Sequence, residues 1–185
     1  MRVPLLAALL TLTACDQLYV EAVVPKLCQH LDEQHFVIPP EVRARYDQLP
    51  PEMQQSYEMA KSFDFDLALQ LPAEFQKADA KFSLSSVRLT AHAPTTDFGF
   101  LDSASVTLEP NAQSSLESHT FTYERQVARP TEIVWDGDGF DLEPYLEAGG
   151  LKYSLALVGT LPESDIVADV DACASATVRV NYLDR

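Results

Sequence analysis

SFDFDLALQL, residues 62–71, is the stretch that decides the class of fold. Every second side chain in it is apolar, from Phe63 to Leu71, and the residues between them are Ser62, Asp64, Asp66, Ala68 and Gln70. Because successive side chains of a β-strand point to opposite faces, this period of two predicts a strand with one buried and one solvated face.

The same alternation recurs along the chain. In residues 82–91 it changes phase at Ser85-Ser86, as a β-bulge would produce. Further alternating runs lie at residues 104–108, 121–127, 133–135, 151–158, 166–170 and 178–182, and residues 18–24 are predicted to be a strand because they are rich in β-branched and aromatic residues. Together they predict about nine short strands without the βαβ alternation of a parallel sheet. We therefore expect an all-β fold, an antiparallel immunoglobulin-like β-sandwich of about 7–9 strands.

A Pro-rich connection, residues 36–60, interrupts this pattern. It contains Pro39-Pro40 and Pro50-Pro51, and each proline removes a backbone donor and disfavours helix before it. Residues 52–60 place Met53, Tyr57 and Ala60 on one helical face, which predicts a short helix there. We expect the connection to lie within a single domain, residues 15–185.

Composition and charge restrict the function. The chain has 185 residues, which is long enough for one core. Of these residues 46% are apolar, which is typical of a globular domain. Its formal net charge is -15 and its pI is about 4.4. Nucleic acids and anionic lipid surfaces are recognised by clusters of Lys and Arg, so the charge argues against nucleic acid as a partner.

The N-terminus carries a targeting signal. Met1-Arg2 supplies positive charge, and the apolar run of residues 3–12 is too short to span a bilayer of about 30 Å. The run ends in Leu12-Thr13-Ala14-Cys15, which resembles the lipobox of bacterial lipoproteins. The resemblance implies that residues 1–14 are a signal peptide and that Cys15 is lipidated. The alternative is an ordinary secretory signal in which Cys15 is incidental.

Lipidation would define the location of the protein. Each buried CH₂ contributes about 0.8 kcal/mol, and two or more acyl chains hold a protein stably on a membrane. The resemblance therefore implies a lipid-anchored protein outside the cytoplasm, on the periplasmic face or at the cell surface.

The other two cysteines, Cys28 and Cys173, form an even pair in a chain directed to an oxidising compartment. We predict a disulfide between them, closing a loop of about 145 residues and stabilising the fold by about 3 to 5 kcal/mol. Two buried free thiols are the alternative, because spacing alone does not establish bridging geometry.

The densest acidic cluster contains Asp136, Asp138 and Asp141, and hard oxygen ligands of this kind suit Ca²⁺. The cluster departs from an EF-hand loop, because Phe140 stands where the fifth-position ligand belongs and Gly139 falls at the fourth position instead of the sixth. The alternative is an Asp/Gly turn leading to a short helix over residues 141–147.

Aromatic residues suggest a second kind of site. Phe98 and Phe100 occupy a predicted loop at one end of the sandwich, where exposed rings could receive a ligand. The alternative is that both rings fold back and close the core. Trp135, next to the acidic cluster, suggests carbohydrate stacking, although a single tryptophan on a strand is more often part of the core.

Catalytic motifs receive little support. His30 and His35 do not have the HExxH spacing of a metal site, and Asp169 and Asp171 are typical of a solvated strand face. There is no phosphate-cradling loop, Rossmann fingerprint or nucleophile elbow. We therefore predict a non-catalytic binding or structural module of the cell envelope. The alternative is a calcium-dependent carbohydrate-active or other hydrolytic domain using the acidic cluster.

Overall fold

The computed structural model describes residues 19–65, 79–110, 114–148 and 151–181. These ranges contain eight strands: β1 Tyr19–Phe36, β2 Tyr57–Phe65, β3 Asp79–Ala91, β4 Leu101–Pro110, β5 His119–Glu124, β6 Glu132–Asp141, β7 Leu151–Gly159 and β8 Ile166–Asn181. They also contain the helices α1 Pro40–Tyr46 and α2 Glu143–Glu147 and a 3₁₀ turn, Pro51–Met53. None of the described helices has the length and apolarity needed to cross a membrane.

The strands form two four-stranded antiparallel sheets. One has the order β1-β8-β3-β6, which we call sheet A, and the other has the order β2-β7-β4-β5, which we call sheet B. The predicted antiparallel β-sandwich is confirmed. The first strand pairs with the eighth, the second with the seventh, the third with the sixth and the fourth with the fifth, which is the connectivity of a jelly roll. Strand periodicity does not distinguish this order from the immunoglobulin one.

The core lies between the two sheets. In β7 every second side chain is buried, namely Leu151, Tyr153, Leu155 and Leu157. The facing side chains of β8 include the fully buried Ala172, Ala174 and Ala176. Small side chains on this central strand leave room for the large ones opposite, as close packing of two sheets requires.

These alanines explain one error of prediction. Residues 166–170 and 178–182 were expected to form two strands, but β8 runs unbroken from Ile166 to Asn181. Alanine has low β-propensity, so the middle of the strand has no sequence signal of its own. Its pairing with β1 on one side and β3 on the other supplies the missing stabilisation.

The helix predicted over residues 52–60 is also wrong. Tyr57 begins β2 and pairs with Gly159 of β7, so the helical spacing of Met53, Tyr57 and Ala60 is coincidental. The helix of this connection is α1, which has Pro40 at its start. Proline is tolerated in the first turn, where its missing N–H needs no partner. The proline pair therefore precedes a helix and does not exclude one.

Strand β1 is much longer than residues 18–24 and continues through Pro25. The register with β8 shifts between Val24 and Leu27, and again between Leu31 and Gln34. An edge strand tolerates proline at such an irregularity, because no ladder hydrogen bond is lost there. The predicted bulge in β3 is confirmed by a register shift between Leu84 and Ser86.

The pairing defines two ends of sheet A. Tyr19 pairs with Asn181 at what we call the Tyr19 end, and Phe36 pairs with Ile166 at the Phe36 end. Strand β6 begins at the Phe36 end, because Thr90 of β3 pairs with both Glu132 of β6 and Asp169 of β8.

Candidate functional site

The predicted disulfide is confirmed. Cys28 and Cys173 are register partners on β1 and β8, with 4.1 Å between their Cα atoms and a sequence separation of 145 residues. The bond lies on the outer face of sheet A, since the neighbouring Ala172 and Ala174 point into the core. It ties the first described strand to the last.

The predicted calcium site is not assembled. The Asp136 carboxylate accepts the Asp138 N–H at 2.9 Å, and the Asp141 carboxylate accepts the Glu143 N–H at 3.0 Å. These carboxylates shape the end of β6 and the entry to α2 instead of converging on one point. Among the described residues no group of three or more His, Cys, Asp or Glu side chains is arranged to hold a metal ion.

The backbone explains this arrangement. Asp138 and Gly139 have positive φ angles of 46° and 69°, so β6 is irregular where a turn was expected. The predicted helix over residues 141–147 is present in shortened form as α2.

The predicted binding loop is wrong for Phe98. Its side chain is fully buried, and its N–H donates to the Pro130 carbonyl at 2.7 Å. Phe100 packs against the core, 6.3 Å from the Phe98 ring centroid. Asp97 and Arg129 hold the loop in place, with Nη2 of the guanidinium 2.7 Å from the carboxylate. The hydrogen bond from Arg129 lowers the pKa of Asp97.

A histidine–carboxylate cluster on the outer face of sheet A is the main feature that sequence reasoning missed. His30 Nδ1 lies 2.5 Å from Asp171, and its Nε2 lies 2.7 Å from Asp32. Both contacts are hydrogen bonds only when the ring is protonated. The hydrogen bond with Asp171 is the largest cause that raises the pKa of His30 above its ordinary value.

His92 forms a second, similar contact beside the first. Its two ring nitrogens lie 3.2 Å from Glu33 and 3.2 Å from Asp169. The backbone N–H of Glu33 donates to Asp169 at 2.9 Å, and this bond is the largest cause that lowers the pKa of the Asp169 carboxyl.

The cluster has a structural role. Glu33 has a positive φ of 49°, within the irregular part of β1 between Leu31 and Gln34. The two histidines and their carboxylates fasten this segment to β8 and β3. In the described part of the chain neither ring is hydrogen-bonded to a hydroxyl or thiol, so the geometry is not that of a nucleophilic triad.

The best candidate for a binding site is a groove of about 600 Å³ between β5 and β6, the outermost strands of the two sheets on one side of the sandwich. We call this side the open side. The floor of the groove contains Phe121, Tyr123 and Trp135, and its rim contains Glu124, Glu132 and Asp136.

Ring contacts connect the two strands across the open side. The Tyr123 and Trp135 centroids are 6.4 Å apart, and the Phe121 and Phe140 centroids are 5.7 Å apart. Trp135 is only 3% exposed, so it belongs to the core and does not offer a free ring face for stacking on a sugar. Its indole N–H has no acceptor among the described residues.

The opposite side, between β1 and β2, is closed by polar contacts. Lys61 Nζ donates to Gln34 at 3.0 Å and to the His35 carbonyl at 3.3 Å, and the Gln29 amide donates to the Asp64 carbonyl at 3.1 Å. The Lys61 ammonium also lies 5.9 Å from the Phe36 ring centroid. A lysine that blocks two neighbouring edge strands is a common protection against further strand pairing.

Two predicted features lie outside the described residues. The first is Cys15 with its lipobox, and the second is the continuation of the alternating stretch beyond Phe65. Within β2 the alternation is present, with Met59 and Phe65 buried and Asp64 exposed.

Comparison with known proteins identifies no family for this chain. No protein-family model matches the sequence, and no curated protein does. The decameric BFDV capsid protein is similar in structure, with a TM-score of 0.45 and 8% identity over 87% of this chain and 100% of that chain. The Tomato Aspermy Virus structure has a TM-score of 0.32 and 12% identity over 93% of this chain and 84% of that chain. At these values neither likeness carries an argument about function.

Proposed function

We propose that this protein is a membrane-anchored extracytoplasmic lipoprotein whose β-sandwich is a non-catalytic binding module of the cell envelope. The targeting segment supports the anchor: a positive start, an apolar run too short to span a bilayer and the box Leu12-Thr13-Ala14-Cys15.

The Cys28–Cys173 disulfide supports the compartment. Disulfides persist in oxidising spaces such as the periplasm and the cell surface, and they are rare in the reducing cytosol. The bond joins β1, the strand nearest to the lipobox, to the centre of sheet A. A pull on the anchor is thus transmitted to the core through a covalent bond as well as through the strand ladder.

The placement of the groove is the observation that carries the binding role. Strand β1 begins at Tyr19, so only residues 16–18 separate Cys15 from the Tyr19 end of sheet A. Glu132 and Trp135 of the groove lie in the half of β6 nearer the Phe36 end. A lipid on Cys15 would therefore hold the Tyr19 end near the membrane and direct the groove away from it.

The acidic residues have structural roles in this module and are given no catalytic one. The Asp136, Asp141 and Asp169 carboxylates accept backbone N–H groups and so maintain local structure. Function by binding needs only a stable scaffold with an accessible surface, which a β-sandwich with one open side supplies.

Mass spectrometry of the protein from membrane fractions tests the anchor. The wild-type N-terminal peptide is expected to begin at Cys15 and to carry acyl chains, whereas Cys15→Ser is expected to leave the membrane fraction. Thr11→Ser, a conservative change inside the signal peptide, is the matched control and should be processed like the wild type. A protein that retains Met1 and bears no lipid would contradict the proposal.

A further inference from the structure

The backbone at the open side can accept another strand. Strand β6 is the outermost strand of sheet A and pairs with β3 through residues 132–136. In an antiparallel ladder alternate residues direct their N–H and C=O groups away from the existing partner. These groups face the open side, because no hydrogen bond joins β5 to β6 within the described residues. An unpaired edge of this kind is a template for strand addition.

Aromatic and aliphatic side chains line the floor of the groove beneath this edge. Phe121 and Tyr123 are half-buried at the margin of the core, and Val134 on β6 is 39% exposed. Trp135 also lines the groove, and its buried indole N–H has no acceptor among the described residues. The half-buried Phe121 and Tyr123 rings therefore supply the apolar surface that a ligand in the groove would contact.

The charge at the rim of the groove determines which charge on a ligand is favoured. Glu124, Glu132 and Asp136 line the groove, and Arg88 Nη1 lies 3.5 Å from the Glu132 carboxylate. Arg125 follows Glu124 in the chain but donates to the Gly99 carbonyl at 3.1 Å. Three carboxylates against the Arg88 and Arg125 guanidiniums leave the rim net negative, which favours a cationic partner.

We propose that the open side binds an extended segment of a partner protein that carries Lys or Arg and adds as a strand along β6. The backbone edge supplies hydrogen bonds, the aromatic floor receives the apolar side chains that alternate with the basic ones, and the rim carboxylates receive the cations. This inference rests on the proposed function, since it names the class of partner for the same module. A glycan fits less well, because Trp135 lies almost wholly inside the core.

Trp135 supplies the readout, since it is the only tryptophan in the chain. Full-length lipidated protein in detergent micelles would be titrated with a blocked peptide of alternating lysine and valine, about six residues long. We expect Trp135 emission and its indole ¹H–¹⁵N resonance to shift saturably. Peptides with glutamate in place of lysine, or with proline at alternate positions, should cause no shift, because they lack the charge or the backbone donors.

Variants of the rim test the geometry. Val134→Lys adds a positive charge beside the edge, and Glu124→Gln removes a negative one; each should weaken peptide binding about two- to fivefold. Val127→Lys and Glu58→Gln are the matched controls, since both residues are exposed and lie outside the groove. Added salt should weaken wild-type binding further.

The inference would be overturned by equal binding of the proline peptide, by equal weakening in control and rim variants, or by a shift caused by an oligosaccharide of N-acetylglucosamine but not by the peptide. Lipidated protein that binds no peptide would also overturn it while leaving the proposed anchor intact. Conversely, saturable peptide binding by a chain that is never lipidated would support the groove and contradict the anchor.

Discussion

The two sides of the sandwich are held together by different interactions. Between β1 and β2 the described contacts include three hydrogen bonds, two of them from the Lys61 ammonium, and β1 is joined to β8 by a disulfide. Between β5 and β6 the described contacts are those of aromatic rings over a groove. The side between β1 and β2 is closed by these contacts, and the open side is where we propose that a partner binds.

The lengths of the edge strands add to this difference. Strand β1 has 18 residues, whereas β5 has 6 and pairs only with β4. Local opening is easiest where few hydrogen bonds and little buried apolar surface must be broken. We therefore expect the open side to be the less stable part of the fold.

Removal of the disulfide should change the free energy of unfolding more than any other substitution that distinguishes the two sides. Cys28→Ala combined with Cys173→Ala is expected to lower the free energy of unfolding by about 3 to 5 kcal/mol, because the unfolded chain regains a long loop. Urea unfolding measures the change, and the reduced wild type should behave like the double variant. A loss below about 1 kcal/mol would show that the strand ladder alone holds β1 to β8.

Lys61→Met breaks the polar closure without touching the disulfide. We expect a loss of about 1 to 2 kcal/mol in urea unfolding, since the ammonium donates to both Gln34 and the His35 carbonyl. Lys152→Met is the control, because this exposed lysine makes only a 3.7 Å ion pair with Asp64 and should cost less than about 0.5 kcal/mol. Equal losses in the two variants would show that the Lys61 hydrogen bonds do not stabilise this side more than an exposed ion pair does.

Two buried donors allow the groove to be compared with the rest of the core. The Tyr153 hydroxyl and the Trp135 indole both lack a partner among the described residues, but only Trp135 lines the groove. Tyr153→Phe should therefore raise the free energy of unfolding by about 1 kcal/mol, because the hydroxyl is desolvated without compensation. Its peptide binding should equal that of the wild type. A destabilised Tyr153→Phe would indicate that the hydroxyl has a partner in the folded protein.

The smallest expected effect concerns His30. Its folded pKa is raised, chiefly by the hydrogen bond with Asp171, so its contribution to stability is fully present below the unfolded pKa. That contribution is lost as the pH rises through the folded pKa. The wild type should thus lose slightly more stability from acidic to mildly alkaline pH than His30→Gln does. An NMR titration that places the His30 pKa at or below the ordinary value would contradict this sign.

Much of the fold could be predicted from local pattern. Alternating apolar residues predicted most of the strands, and the phase change at Ser85-Ser86 predicted the bulge. The oxidising compartment inferred from the N-terminus directed attention to Cys28 and Cys173. These features depend on residues close in sequence or on a simple count, so no knowledge of tertiary contacts was needed.

The rest depends on contacts between distant residues. His30 and Asp171 are 141 positions apart, and the pairing of β1 with β8 brings them together. The groove was missed for the same reason, since Tyr123 and Trp135 resemble ordinary core positions until the two sheets are placed face to face. Phe98 was assigned to an exposed loop because its contact with Pro130 has no local signal.

Site-specific photo-crosslinking in cells that produce the protein tests the central claim most directly. A photoreactive residue at Val134, on the open side, would be compared with one at Val37, which is 65% exposed beside β1 and β2. The account predicts that position 134 crosslinks to an extended segment containing Lys or Arg and that position 37 does not. Crosslinks confined to position 37, or none at either position in correctly lipidated protein, would contradict it.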